Sequence, residues 1–291
     1  MPTNPLKLLF VLNPSSGRKR GTNWESEISK YFEELQHDVT VIKLEKGIDI
    51  KSCIDSMNPD RVIAVGGDGT VNALAKVVGG TKLPMGILPA GSANGMAKEL
   101  NIPNKPQAAI DIVVNADPKP IDAILINGKD LCLHLSDLGL NARLIKYFED
   151  GELRGMLGYA KGIVRTWHKS TRLGVAVQTK DEEVTRTAVM VALANARKYG
   201  TGTILNHIGE LDDGFFEVII VKQLGAREML KALVRNKRQF HPKNVEVLQA
   251  KSVVIGTSHK VHFQIDGEYK GRVTSVTAKI LPGHLQVLQP G

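Results

Sequence analysis

Cysteine is scarce. Cys53 and Cys132 are the only two in 291 residues, too few for a disulfide framework or a four-thiolate zinc site, and a reducing cytoplasm is the expected setting. Aromatic residues make up only 5%, which argues against a sheet that reads single-stranded RNA by stacking bases on Phe and Tyr; no nucleic-acid partner is expected. No apolar run approaches the ~18 residues of a bilayer-spanning helix. The N-terminus lacks the charged-then-apolar layout of a signal peptide, so no transmembrane segment is expected and the chain reads as soluble. His134, His207, His241, His259, His262 and His284 never fall at His-x-x-x-His spacing, and no zinc site is expected. Internal repeats and low-complexity tracts are also missing.

What is present is an ordinary globular composition, 42% hydrophobic and 23% charged, on a chain long enough for two domains. Charge is the one skewed quantity. A net +8 and a pI near 9.4 suit anionic partners such as nucleotides, nucleic acid or acidic lipid surfaces, without choosing among them.

Along the first third, short β-branched runs alternate with segments of helical period. Strands are expected at Leu6 to Leu12, Val39 to Leu44, Arg61 to Val65 and Met85 to Leu88. Helices are expected over Trp24 to Leu35, Ile50 to Met57, Val71 to Val78 and from Gly95 to Leu100. This alternation predicts a doubly wound parallel α/β domain. After Asp117-Pro118-Lys119-Pro120 the texture changes to strands parted by Gly, Asn and Asp turns. They are expected at Thr187 to Ala194, Phe215 to Val221, Ser252 to Ile255, Val261 to Ile265, Ser275 to Ile280 and Leu285 to Leu288. Helical segments near Leu157 to His168 and Ala226 to Lys237 interrupt them. The pattern predicts an antiparallel β-sandwich. The expected division is an α/β domain over 1–122 and an all-β domain over 123–284, with 285–291 returning to the first.

Three loops carry chemistry. Gly66-Gly67-Asp68-Gly69-Thr70-Val71-Asn72 follows a strand and opens a helix, so its N–H groups can cradle a phosphate, with Thr70 capping the helix or bonding a phosphate oxygen. Asp68 would repel phosphates unless it holds a divalent cation or takes a proton; the alternative is an Asx turn. Pro89-Ala90-Gly91-Ser92-Ala93-Asn94-Gly95 and Asn13-Pro14-Ser15-Ser16-Gly17 also follow strands, and in a parallel sheet such loops gather at one edge. Further on, Asp266 and Glu268 would share a face if the strand stays extended through Gln264-Ile265-Asp266-Gly267-Glu268; a hairpin turn is the alternative reading.

Together these motifs resemble the diacylglycerol kinase catalytic-domain family, which includes bacterial soluble lipid kinases and sphingosine kinases. Met96-Ala97-Lys98-Glu99-Leu100-Asn101-Ile102-Pro103, Asp122, Leu138-Gly139-Leu140-Asn141-Ala142, Gly158-Tyr159, Tyr199-Gly200-Thr201-Gly202 and Leu211-Asp212-Asp213-Gly214 continue the likeness over nearly the whole chain. The resemblance implies an N-terminal nucleotide domain related to NAD kinases and phosphofructokinases, and a C-terminal sandwich, with ATP and lipid meeting in a cleft. It implies that Asn13, Lys43, Gly66, Gly67, Asp68, Gly69, Thr70, Asn72, Ser92 and Asn94 surround ATP. Glu268 would be the proton acceptor, with Asp266 its companion and Asp68 catalytic or metal-linked. Asp213 and neighbouring carbonyls would hold Mg²⁺. Gly95 stands where the family commonly has Asp, which bears on the metal arrangement, and His207 replaces a usual proline.

The implied activity is transfer of the ATP γ-phosphoryl group to a hydroxyl of diacylglycerol or a related lipid, by a cytoplasmic enzyme that visits the membrane surface transiently. Two other readings stay open: an NAD kinase-like enzyme, and a non-catalytic lipid- or nucleotide-binding module of the same fold. The basic segments Ala226 to Arg238 and Lys161 to Arg172 read either as membrane-touching faces or as solvated helices.

Overall fold

The computed structural model describes residues 5–16, 22–45, 47–150, 172–196, 198–199, 203–204, 209–223 and 244–291. The chain forms two compact units, Met1–Ile121 with Gly283–Gly291, and Asp122–Pro282. The expected helices near Leu157 to His168 and Ala226 to Lys237 lie outside the described residues.

In the first unit β1 (Lys7–Leu12), β2 (Asp38–Lys43), β3 (Arg61–Gly66) and β4 (Pro84–Pro89) alternate with α1 (Trp24–Phe32), α2 (Ile50–Met57), α3 (Asp68–Val78), α4 (Gly95–Glu99) and α5 (Pro106–Asn115). The strands lie parallel in the order β2-β1-β3-β4, with Leu8 opposite both Val39 and Arg61, and Val62 opposite Met85. Residues 8–12, 62–66 and 85–89 are buried without alternation, as expected of strands covered on both faces. Local chemistry sets the helix ends. Asn23 accepts from Ser26 N at 3.2 Å and Asp49 from Lys51 N at 3.0 Å, while Asn58 ends α2 in the left-handed region at φ 45°. Pro106 opens α5, where its missing N–H costs nothing. The loops after β1, β3 and β4 therefore share the carboxyl edge of one sheet.

β5 (Pro118–Ile126) leads into the second unit, which holds β6 (Asp130–Cys132), β7 (Leu135–Gly139), α6 (Leu140–Glu149), β8 (Leu173–Thr179), β9 (Glu183–Ala188) and β10 (Met190–Ala194). Then come β11 (Lys198–Tyr199), β12 (Thr203–Ile204), β13 (Phe216–Val221), β14 (Val245–Ala250), β15 (Ser252–Ile265) and β16 (Glu268–Leu288). The pairings β14-β13-β10-β7-β15 and β15-β8-β9 are all antiparallel. Phe216, Phe263, Val191, Val218 and Ile220 are completely or almost completely buried in the unit's larger core cluster.

Three strand expectations need correction. Thr187 to Ala194 is two strands, broken at Val189, whose N–H turns to Val221 O. Ser252 to Ile255 and Val261 to Ile265 are one strand, β15, interrupted by an irregularity between Gly256 and Val261. Ser275 to Ile280 and Leu285 to Leu288 are one strand, β16, whose last residues run parallel to β4 in the first unit (Gln286 opposite Pro84). In each case cross-strand pairing, which local turn residues do not report, decided continuity. β15 also changes partners at its irregularity: Val253 to Thr257 pair with β8, and Phe263 to Ile265 with β7. Among the described residues no helix is long and apolar enough to cross a membrane.

Candidate functional site

The first unit gathers its three loops through main-chain contacts. Asn13 N donates to Val65 O at 3.0 Å and Ala90 N to Gly66 O at 2.9 Å, tying the first and second glycine loops to the end of β3. At the centre, two glycines meet. A Cβ built on Gly91 would lie 2.4 Å from Gly67 Cα, so no side chain fits between the loops. Gly66 is constrained too, because a Cβ there would lie 2.1 Å from Thr70 Oγ1.

Thr70 therefore covers Gly66 and accepts from Asn13 Nδ2 at 3.3 Å. It does not cap α3, whose N-cap is Gly67 with no side-chain hydrogen bond. The N-terminal N–H groups of this helix are thus left to other partners, and the macrodipole favours an anion there. Asn72 is buried one turn further on. Asn13 Oδ1 accepts from Ser15 N and Ser15 Oγ, so this residue shapes its own turn. Beside the loops lies a cavity of about 380 Å³, lined by Asn13, Lys43, Trp24 and Ala90 among others. Lys43, at the end of β2, sits 2.9 Å from Glu25 Oε1. Ser92 is exposed.

Asp68 and Asn94 settle the second loop. Asp68 Oδ2 accepts from Gly95 N and Oδ1 from Met96 N, each at 3.0 Å, so the carboxylate braces the start of α4. Gly95 contributes only its N–H to this contact, which any residue would supply. Asn94 holds φ 50° and is 2% exposed, yet its Oδ1 and Nδ2 make no hydrogen bond in the protein. A buried amide with both ends unmet is rare and is met by an ordered water, an ion or a ligand. The main-chain N–H groups at the start of α3 suit phosphate oxygens.

In the second unit the strand does not stay extended. Asp266 (φ 47°) and Gly267 (φ 85°) form a two-residue hairpin turn between the paired Ile265 and Glu268, so the hairpin reading of this segment holds and the same-face carboxylate pair that an extended strand would have made is not formed. The Asp266 carboxylate accepts from Leu133, His134 and Leu135 N at 2.8 to 2.9 Å, and Cys132 Sγ lies 3.4 Å away. Burial, then the adjacent Asp266 charge, pushes the Cys132 thiol well up. Glu268 lies beyond the turn with its side chain 51% exposed, 2.9 Å from Lys270 Nζ.

Sequence reasoning missed the support under this turn. Asp137 is fully buried and accepts from Asn141 Nδ2, Ala142 N and Gln264 Nε2. Gln264 Oε1 in turn accepts from Gly267 N at 2.8 Å. Burial outweighs the three donors and pushes the Asp137 carboxyl up to about 6. A polar pair at strand centres, Asp137 opposite Gln264, was the available signal.

Asp213 Oδ1 accepts from Phe215 N at 2.9 Å, and buried Asp122 accepts from Gly214 N at 2.7 Å. Both brace the Leu211-to-Gly214 turn. Among the described residues no three His, Cys, Asp or Glu side chains gather as a metal site, and Asp68 and Asp213 are engaged by main-chain N–H groups.

A parallel α/β unit with a glycine cradle, together with an antiparallel sandwich unit, defines the class. Residues 7–126 match the diacylglycerol kinase catalytic domain family, and residues 136–289 match the YegS C-terminal NAD kinase beta sandwich-like domain. The chain belongs to this family of diacylglycerol and YegS-like lipid kinases. It is similar to the "Probable lipid kinase YegS-like" of Chromohalobacter salexigens, with 29% identity over 79% of this chain and 76% of the relative. It is also similar to the diacylglycerol kinase of Bacillus subtilis, with 25% identity over 97% of this chain and 95% of that one. A crystal structure of a diacylglycerol kinase from Bacillus anthracis superposes with a TM-score of 0.73 over 99% of this chain and 98% of that one, at 19% identity, and shares its fold.

Proposed function

We propose that this protein is an ATP-dependent lipid kinase that transfers the γ-phosphoryl group to a hydroxyl of diacylglycerol or a related lipid at a membrane surface. The observation that carries the reading is the main-chain contact of Gly67 with Gly91, beside the unsatisfied amide of Asn94. A ligand whose oxygens accept main-chain hydrogen bonds suits the N–H groups beside this contact, and membership of a kinase family supports ATP as that ligand.

Phosphoryl transfer asks for positioning and charge stabilisation rather than covalent chemistry from the protein. In this reading the N–H groups of Gly66 to Gly69 and the Asn94 amide hold phosphate oxygens. Asn13, Lys43, Asn72 and Ser92 complete the nucleotide surroundings, and Thr70 keeps the cradle closed. Asp68 fixes the second loop against the first. Glu268 accepts the proton of the attacking hydroxyl, while Asp266, anchored by three N–H groups, and Gln264 hold the turn from which Glu268 projects.

The test is transfer of label from [γ-³²P]ATP to a panel of lipids and to NAD, using the full chain. Label in a lipid, lost in the folded Glu268→Gln variant, is the expected result. Label in NAD alone, or nucleotide binding with no transfer to anything, would replace this reading with an NAD kinase-like enzyme or a binding module.

A further inference from the structure

We infer that the second unit contains a binding pocket for a phosphate-bearing ligand, formed by Arg143, His259, Lys260, His262 and Arg272. These five side chains line one cavity of about 350 Å³, and among the described residues no Asp or Glu lines it. The volume lies within the range of small-ligand sites. Leu140, Leu173, Val189 and Val261 supply apolar wall, enough to accommodate a short carbon skeleton beside the anion.

The pocket is built by the irregularity at which β15 changes partners. The stretch from Thr257 to Lys260 leaves the regular ladder and is pinned in place. Thr257 Oγ1 donates to His259 O at 2.9 Å or Thr274 O at 3.1 Å, Ser258 Oγ accepts from Gly174 N, and Arg272 Nη2 donates to Lys260 O at 2.7 Å. A bulge re-aims side chains that would otherwise alternate, and here it brings His259 and Lys260 to the same cavity as His262. Gly139, at φ 104°, also lines the cavity; a Cβ there would lie 2.6 Å from Val189 O.

Charge selects the ligand. His262 hydrogen-bonds Tyr269 Oη through Nδ1 at 2.8 Å. Burial first, then the charges of Arg272, Arg143 and Lys146, pull its imidazole down to about 4. Glu149 and Asp150, whose charges reach Tyr269, are engaged by Tyr269 N and by Lys146. The guanidinium groups of Arg143 and Arg272 and the Lys260 ammonium repel a metal cation. Arginine pairs match the fork geometry of phosphate oxygens, and low-dielectric walls focus the field on an entering anion. The inference does not rest on the kinase reading, since binding here requires no phosphoryl transfer.

The test follows the His259 and His262 imidazole protons by NMR in the full chain. The probes are inorganic phosphate, glycerol 3-phosphate, and vesicles of phosphatidylcholine with or without phosphatidic acid. Saturable shifts with at least one phosphomonoester probe, and a rise in the His262 pKa on binding, are expected. Shifts with the soluble probes identify a soluble ester as sufficient; shifts with phosphatidic acid vesicles alone identify a lipid headgroup. Arg272→Gln with Lys260→Gln should weaken binding by at least about tenfold. Because Arg272 also pins the bulge, Arg143→Gln with Lys260→Gln is the companion variant, and its melting temperature should match the wild type. Imidazole signals unmoved by every probe up to about 20 mM phosphate, or shifts that persist unchanged in the companion variant, would overturn the proposal. Phosphate held only in the glycine cradle would leave these signals unmoved, and so counts against it.

Discussion

Gly91→Ala must push neighbouring main chains apart, because its methyl would stand 2.4 Å from Gly67 Cα and 3.0 Å from Gly67 N. Overpacking of this kind costs about 1–3 kcal/mol. The expected outcome is a lower urea midpoint and nucleotide affinity reduced by at least about tenfold; wild-type nucleotide binding in this variant would remove the cradle from the proposed function. Asp266→Asn can keep one oxygen toward His134 and Leu135 N but then sets its NH₂ against Leu133 N, and the flipped amide does the reverse, so at least one N–H that now points at the carboxylate loses its acceptor. Leaving buried donors unmet costs about 1–3 kcal/mol, so thermal stability should fall, and a melting curve identical to wild type would contradict the anchoring role. Gly66, Gly67 and Gly91 were legible as a cradle from sequence, because their spacing after strands is a local signal. The anchoring of Asp266 by residues 133–135 was not, because more than a hundred residues separate the partners.

At the scale of elements, pH acts in opposite directions on two carboxylates of the second unit. Asp137 has its folded pKa raised, to about 6, mainly by burial. It therefore binds its proton more tightly when folded, and its contribution to stability is complete below the ordinary Asp range and is lost as pH rises through about 6. Glu246 is held down at about 2, first by hydrogen bonds from Arg186 and also by Lys222. Its contribution is complete above the ordinary Glu range and fades as pH falls toward about 2. Asp137→Asn should flatten the stability profile between pH ~4 and ~6. It should also destabilise at neutral pH, since in either orientation its NH₂ would face a donor, Ala142 N or the amides of Asn141 and Gln264. Urea melts from pH ~4 to ~7 check both points. Glu246→Gln should cost at most about 1 kcal/mol, because the pair is partly solvated, with the loss confined to pH above its folded pKa. The strands of the first unit and helices α1 to α4 were legible because parallel strands covered on both faces read as apolar blocks, whereas α5 (Pro106–Asn115) was not anticipated. β15 and β16 were not read whole, because Gly256, the polar 257–260 stretch and Pro282-Gly283 look like turns until the cross-strand partners are known.

For the molecule as a whole, Glu268→Gln should reduce lipid phosphorylation by ~10²–10⁴-fold, as removal of a general base does, while leaving the melting temperature and nucleotide affinity unchanged; full turnover in the folded variant would assign the proton elsewhere. The net charge of +8 predicts sedimentation with anionic vesicles that weakens as salt rises from about 0.05 to about 1 M. Binding indifferent to salt would deny charge a role in membrane attachment.

The sequence by itself determined the alternation of β1 to β4 with α1 to α4, the glycine loops at strand ends and the family, because each is written in neighbouring residues or in motifs kept in order. Tertiary structure alone decided that Gly67 touches Gly91, that Asp68 and Asp266 brace loops through N–H groups, and that basic side chains from α6, β15 and β16 line one pocket. Those contacts depend on pairing register and on a bulge, whose energies arise between segments distant along the chain.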